Sequence, residues 1–288
     1  MNSFIFKIGH GLGDQIRFLK TALEIYRKYG DKYSYYYYLS DAAHGANIME
    51  QYKDLFNIIP LKKIELPKEL VQIYEDSFFQ KINSVKCLGN FIPPFLFSHL
   101  SMTFDIPKDF AEHFNLSIPL PPLVSQKLSQ IKSTNNSVCV HIRMGDDLRP
   151  GNILLSLSYI RKSLIRMRNK LNANNVNNVT FFIFSNSMDI VKNRLTSIEK
   201  DIGGTFDYVN LNQDEQGYFE LELMRNCQHF IITQGGFGIL ASSLCQYPQK
   251  IILVPPDKDR IHSQEKKEKE WRYKWDHESN DWRNVKIY

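Results

Sequence analysis

Three stretches of the chain set glycine beside groups that can bind an anion or carry a proton. The first is His141-Ile-Arg-Met-Gly-Asp-Asp147, which ends the apolar run beginning at Val138. If that run is a strand, its side chains alternate, so His141 and Arg143 project to one face near the carboxyl end, where open α/β sheets bind ligands. An arginine there offers a fork of donors to a diphosphate, Gly145 lets the backbone turn, and Asp146 can hold the arginine or cap the next element. A salt bridge between Arg143 and an aspartate explains the same residues without a ligand. The second stretch is Thr233-Gln-Gly-Gly-Phe-Gly238, again between an apolar run and a helical pattern. The amides of Gly235, Gly236 and Phe237 would lie at a helix N-terminus and could cradle phosphate, with Thr233 and Gln234 as polar contacts. The third is Gly9-His-Gly-Leu-Gly-Asp14, where Gly11 and Gly13 permit close backbone approach ahead of a helix. It is not a dinucleotide fingerprint, because the third glycine of GxGxxG would fall at Asp14, and it lacks the Gly-Lys-Ser/Thr of a Walker loop.

The elements that must position these residues follow from hydrophobic period. Apolar runs of strand length alternate with amphipathic runs of helix length, the pattern of βα units and a parallel sheet. In the N-terminal half the expected elements are a strand over Ser3–Ile8, a helix over Asp14–Tyr29 and a strand over Tyr35–Leu39. After the prolines they are strands Ser137–Ile142, Val179–Phe184, Phe206–Val209, His229–Ile232 and Lys250–Val254. The helices expected between them are Ser156–Leu171, Met188–Ile198, Asp214–Asn226 and Phe237–Tyr247. Half of the 12 prolines fall between Pro93 and Pro122, and Pro119-Leu-Pro-Pro122 reads as a stiff linker. The expectation is an α/β protein of two Rossmann-like domains, 1–122 and 123–288. Beyond the last strand, Asp257–Tyr273 has charges at helical spacing and Trp271 and Trp275 four apart, as for a helix packing back on the body.

Composition limits the class. With 43% hydrophobic and 23% charged residues over 288 positions, the chain can bury one large core or two ordinary ones. A net charge of +5, from 36 basic and 31 acidic residues scattered along the chain, is too mild to argue for nucleic acid. Cys87, Cys139, Cys227 and Cys245 are far apart in sequence with no CxxC pair, as for free buried thiols in a reducing compartment. Lys7 interrupts the first apolar residues, so no signal peptide is expected, and the longest uncharged run, Phe230–Gln249, is too polar for a membrane span. The expectation is a cytoplasmic protein, with peripheral association at the inner membrane left open.

In order, the pieces resemble a known family. His141-Ile-Arg-Met-Gly-Asp146 resembles the HxRxGD signature of the alpha-1,2-fucosyltransferases and of the superfamily with the alpha-1,6- and protein O-fucosyltransferases. Gly9-His-Gly-Leu-Gly-Asp-Gln15 is similar to that family's GGLGNQ, and Phe182-Ile-Phe-Ser-Asn186 to its FxxFSDD strand. Glu220-Leu-Glu-Leu-Met-Arg-Asn-Cys-Gln-His-Phe-Ile-Ile232 is similar to ELxLMSxCKHxII. The chain departs from the pattern at Met144, Asp14, Asn186 and Ser187, and its Thr233-Gln-Gly-Gly-Phe-Gly-Ile239 stands where NSSFSWW is usual.

The resemblance implies a GT-B architecture whose two domains face a cleft, with the acceptor mainly on the N-terminal domain and GDP-fucose mainly on the C-terminal one. It implies inversion at the anomeric carbon without a metal or other cofactor. By the same carry-over Arg143 contacts the diphosphate, His141 lines the donor pocket, Ser185 and Asn186 lie near the nucleotide, and Thr233 to Phe237 lie near the phosphates. His10, Asp14, Asp146 and Asp147 are the candidates for the base that takes the acceptor proton. The expected partners are a nucleotide sugar and a glycan acceptor of the kind found in bacterial surface polysaccharide or lipopolysaccharide. Three alternatives stand beside this: a heptosyltransferase-like enzyme, since Gly11-Leu-Gly-Asp14 also suits that group; a metal-dependent transferase using Asp257-Lys-Asp259; and a noncatalytic nucleotide or glycan binder.

Overall fold

A computed structural model of the chain describes residues 3–43, 51–65, 106–143, 157–172, 179–211, 217–233, 236–254 and 286–287. The chain divides into two compact units, Met1–Pro119 and Leu120–Tyr288. The division falls just before the expected boundary for a local reason. Pro121 and Pro122 are the N-cap and first residue of a helix, Pro122–Ser133, where a missing amide and a fixed φ favour a helix start. They therefore open the second unit.

The first unit contains β1 (Ser3–His10), α1 (Leu12–Tyr29), β2 (Ser34–Ala43) and β3 (Leu61–Lys63). Its sheet has the order β1-β2-β3 and is parallel throughout. Ile16, Leu19, Ala22 and Leu23 form the buried stripe of α1, the spacing that an amphipathic helix lays on a sheet. The Tyr35 hydroxyl, on β2, donates to the carbonyl of Gly30 at 2.7 Å and so ties the end of α1 to the sheet. A short helix, α2 (Lys108–His113), comes later in this unit.

The second unit runs α3 (Pro122–Ser133), β4 (Ser137–His141), α4 (Leu157–Asn172), β5 (Thr180–Phe184), α5 (Met188–Ile202) and β6 (Thr205–Tyr208). It continues with α6 (Gly217–Arg225), β7 (His229–Ile232), α7 (Gly236–Leu244), β8 (Ile251–Leu253) and β9 (Lys286–Ile287). The sheet order is β6-β5-β4-β7-β8-β9. β4 to β8 are parallel and β9 is antiparallel to β8. This is a doubly wound sheet: from β4 the chain moves outward to β6, then returns to place β7 on the other side of β4.

Alternation along β4 and β5 assigns the two faces. Val138, Val140, Ile142, Phe181 and Ile183 share one core with the buried residues of α4 and α5. Cys139 and His141 must then face the opposite layer, which holds α7 and its neighbour α6. The expected α/β class and both parallel sheets are present. α5 extends beyond the expected Ile198 because its stripe of Met188, Val191, Leu195, Ile198 and Ile202 continues, and Gly203 at φ 71° then ends it. α7 stops before the expected Tyr247, with the Lys250 ammonium donating to the carbonyls of Ser242 at 2.9 Å and Cys245 at 2.7 Å. The antiparallel β9 has no counterpart among the expected elements. The expected C-terminal helix, with Trp271 and Trp275, lies outside the described residues, as do Asp257, Asp259 and Cys87. Cys139, Cys227 and Cys245 are buried free thiols. No helix among the described residues is long and apolar enough to cross a membrane.

Candidate functional site

The doubly wound sheet has its switch point between β4 and β7, and open α/β sheets bind ligands outside the carboxyl ends of the strands at such a point. The sequence puts its chemistry there. β4 ends at His141, with Arg143 two residues on; β7 ends at Ile232, followed by Thr233; α7 then begins at Gly236.

Thr233 joins the two strand ends. Its amide and its hydroxyl both donate to the carbonyl of His141, each at 3.1 Å, and its Oγ1 accepts from the Arg143 amide at 3.2 Å. On the other edge of β4 the Ile142 amide donates to the Phe184 carbonyl at 2.9 Å. The tip of β4 is therefore held from both neighbouring strands. Thr233 is 2% exposed, so its hydroxyl is spent on the backbone. A threonine beside a neighbouring strand end reaches main-chain groups first. The Tyr159 hydroxyl, on α4, donates to the Ile232 carbonyl at 2.8 Å and fixes the end of β7 from the opposite face.

His141 is buried under α7. Its ring centroid lies 5.9 Å from that of Phe237, at an interplanar angle of 52°, and Nδ1 is buried with no hydrogen-bond partner among the described residues. Burial, followed by the nearby positive charge of Arg143, pushes the imidazole down to about 4. The ring is thus neutral at neutral pH, and the positive charge of this corner belongs to Arg143, which is half-buried. The first amides of α7 have no partner within the helix, and its N-terminal end carries partial positive charge. A guanidinium beside such an end can hold a phosphate or diphosphate.

Ser185, just past β5, is nearly buried, and its Oγ accepts from the Ser187 amide at 3.1 Å, shaping the turn into α5. Asn186 is exposed at that turn. Gly145, Asp146, Asp147, Gln234 and Gly235 lie outside the described residues.

In the first unit, β1 runs through Gly9 to His10, while α1 starts at Leu12. The expected turn over residues 9–14 shrinks to Gly11, the N-cap of α1. Gly13 and Asp14 belong to the first helical turn. The Gln15 amide donates to the Gly11 carbonyl at 3.1 Å. Gly11 has φ −72° and ψ 167°, so its backbone does not demand glycine. A Cβ there would meet nothing among the described residues within 4 Å.

One residue has a role that the sequence hides. Gly238, in the first turn of α7, lies against His141. Its signal is a glycine inside a helix, where the residue is unfavourable unless something approaches it closely.

The family model of glycosyl transferase family 11 matches residues 104–276, well over half of the chain. No curated protein matches the chain. Among solved structures, NodZ alpha-1,6-fucosyltransferase soaked with GDP-fucose aligns at a TM-score of 0.49 and 12% identity, over 88% of this chain and 95% of that one; NodZ comes from Bradyrhizobium. A mutant of Arabidopsis thaliana FUT1 in complex with GDP aligns at 0.49 and 11% identity, over 90% of this chain and 72% of that one. POFUT1 in complex with GDP aligns at 0.43 and 12% identity, over 84% and 95% of the respective chains.

Proposed function

The chain belongs to glycosyl transferase family 11, and on that footing we propose that it transfers fucose from GDP-fucose to a hydroxyl of a glycan acceptor. The proposed reaction inverts the anomeric carbon and needs no metal, with an alpha-1,2 linkage as the expected product. The fucosyl part rests on the resemblance of His141-Ile-Arg-Met-Gly-Asp146 to the HxRxGD signature. The observation that carries the nucleotide-sugar part is the corner at the β4–β7 switch point, where Arg143, the neutral His141 and the start of α7 meet.

Displacement at an anomeric carbon builds oxocarbenium character on the sugar and negative charge on the departing diphosphate. In this reading Arg143 and the first amides of α7 receive that charge. Thr233 and Phe184 hold the β4 tip by its backbone, which supports a fixed starting point for the Arg143 side chain, and electrostatic catalysis depends on such preorganisation. His141 lines the pocket as a neutral group, while Ser185, Asn186, Gly236 and Phe237 border the nucleotide and phosphates. The acceptor hydroxyl must lose a proton, for which His10, Asp14 and Asp146 are the proposed candidates. The first unit then takes the acceptor and the second the donor. The proposed setting is bacterial surface polysaccharide or lipopolysaccharide synthesis at the cytoplasmic side of the inner membrane.

Calorimetric titration with GDP, UDP and ADP, each with and without EDTA, tests this reading. Selective GDP binding that survives EDTA is expected. A preference for ADP or UDP would favour a heptosyltransferase-like donor, and loss of binding in EDTA would favour a metal-dependent enzyme. Slow hydrolysis of GDP-fucose without acceptor then separates an enzyme from a binder.

A further inference from the structure

α7 meets β4 closely at a residue with no side chain. A Cβ built on Gly238 would stand 2.8 Å from Nδ1 of His141 and 3.1 Å from its Cβ and Cγ. Separations this short are repulsive between nonbonded heavy atoms, so the imidazole or the helix would have to move. His141 cannot retreat easily, because its carbonyl takes two hydrogen bonds from Thr233 and the next amide is bonded to Phe184. Gly238 is buried, and the same helix carries the buried Leu240, Ala241 and Leu244 into the core, which opposes lifting α7 away. Nδ1 faces this contact with no hydrogen-bond partner among the described residues. A ligand can therefore address the ring only through Nε2.

We propose that Gly238 is a positioning residue for the nucleotide diphosphate. By having no side chain, it lets the first turn of α7 close on His141, shuts Nδ1 away, and brings the helix amides and Arg143 to bear on one anion. The choice of ligand rests on the reading given under the proposed function; the steric coupling between Gly238 and His141 does not.

The experiment is a double-mutant cycle of Gly238→Ala, His141→Ala and the pair, measured by urea unfolding and by GDP calorimetry. In the parent background the alanine methyl collides with the ring, so a lower urea midpoint and at least tenfold weaker GDP binding are expected. In the His141→Ala background the collision is gone and alanine favours the helix, so the pair should have a higher midpoint than His141→Ala alone. If Gly238→Ala does not fold, a folded double variant is still expected, and an unfolded one overturns the coupling. An equal fall in midpoint in both backgrounds also overturns it. GDP binding within twofold of the parent in folded Gly238→Ala overturns the positioning role. A parent that does not bind GDP instead refutes the nucleotide reading itself, and the urea cycle then still decides the steric claim. A readout that overall destabilisation would not move is the His141 titration followed by nuclear magnetic resonance. Displacing the ring toward water should raise it from about 4 toward the ordinary 6.5, and an unchanged titration in the folded variant counts against the displacement.

Discussion

Thr233→Val removes one hydroxyl from a buried site and leaves the side-chain volume nearly unchanged. In the parent, Oγ1 accepts from the Arg143 amide at 3.2 Å and donates to the His141 carbonyl at 3.1 Å, at a residue 2% exposed. The Arg143 amide loses its bond to that hydroxyl, a loss of about 0.5–1.5 kcal/mol. The His141 carbonyl keeps the bond from the Thr233 amide and loses a second one, for a further loss of about 0.5–1.5 kcal/mol. The expected destabilisation is therefore about 2 kcal/mol, measured by urea unfolding followed by circular dichroism. Thr233→Ser keeps both hydrogen bonds and loses one methyl, so it should cost about 1 kcal/mol. Because the same hydroxyl sets the backbone at Arg143, the valine variant should also bind GDP more weakly, with the serine variant close to the parent. A valine variant within about 0.5 kcal/mol of the parent, the lower bound for one such bond, would show that the hydroxyl does not tie β4 to β7.

Arg143→Ala should lower transfer from GDP-fucose by about 10²-fold to 10³-fold, the usual loss when one such donor is removed, while urea unfolding stays near that of the parent; turnover close to normal would refute the role of Arg143. Stability should fall as pH is lowered from about 6.5 to 4. Burial holds His229 near 4, and burial with the charge of Arg143 does the same to His141, whereas both titrate near 6.5 when unfolded. Between those values the unfolded chain binds more protons. Each histidine then adds a slope of up to about 1.4 kcal/mol per pH unit, fully recovered above 6.5. Urea midpoints measured across that range check the slope, and a flat profile would refute the burial argument. Lys250→Met should destabilise the second unit by about 1–3 kcal/mol, since two carbonyls at the end of α7 lose a charged donor; an unchanged urea midpoint would show that the ammonium is dispensable there.

Most of the second unit is legible in the chain because its residues obey one period at a time. Val138, Val140 and Ile142 face one layer while Cys139 and His141 face the other, and that alternation alone places His141 and Arg143 at a strand end. Met188, Val191, Leu195, Ile198 and Ile202 repeat at helical spacing, and the expected end at Ile198 is early only because the stopping signal is Gly203. The turn between β1 and α1 is misjudged for a different reason. Gly9, Gly11 and Gly13 look equivalent in sequence, yet one lies in the strand, one caps the helix and one lies inside it. Composition marks where a turn can occur, and hydrogen bonding to β2 and within α1 decides how short it is. β9 is invisible because two residues at the end of the chain have no period at all.

The roles of Thr233 and Gly238 are hidden because each acts on a residue about ninety positions earlier in the chain. Sequence reasoning gives Thr233 to the ligand, as a hydroxyl in a glycine-rich turn invites; tertiary contact gives it to the backbone of His141 and Arg143. Gly238 looks like the tail of the same turn, and it is the point where α7 touches His141. The two positions meet at His141: Thr233 bonds its carbonyl and the Arg143 amide, and Gly238 lies against its ring. One supplies a hydroxyl that pulls the strand tip toward β7, and the other removes a side chain so that the helix can follow. A change at either position alone would leave the partner adjustment without its purpose. Thr233→Val and Gly238→Ala should therefore be non-additive in GDP binding, with the double variant losing less than the product of the two single effects.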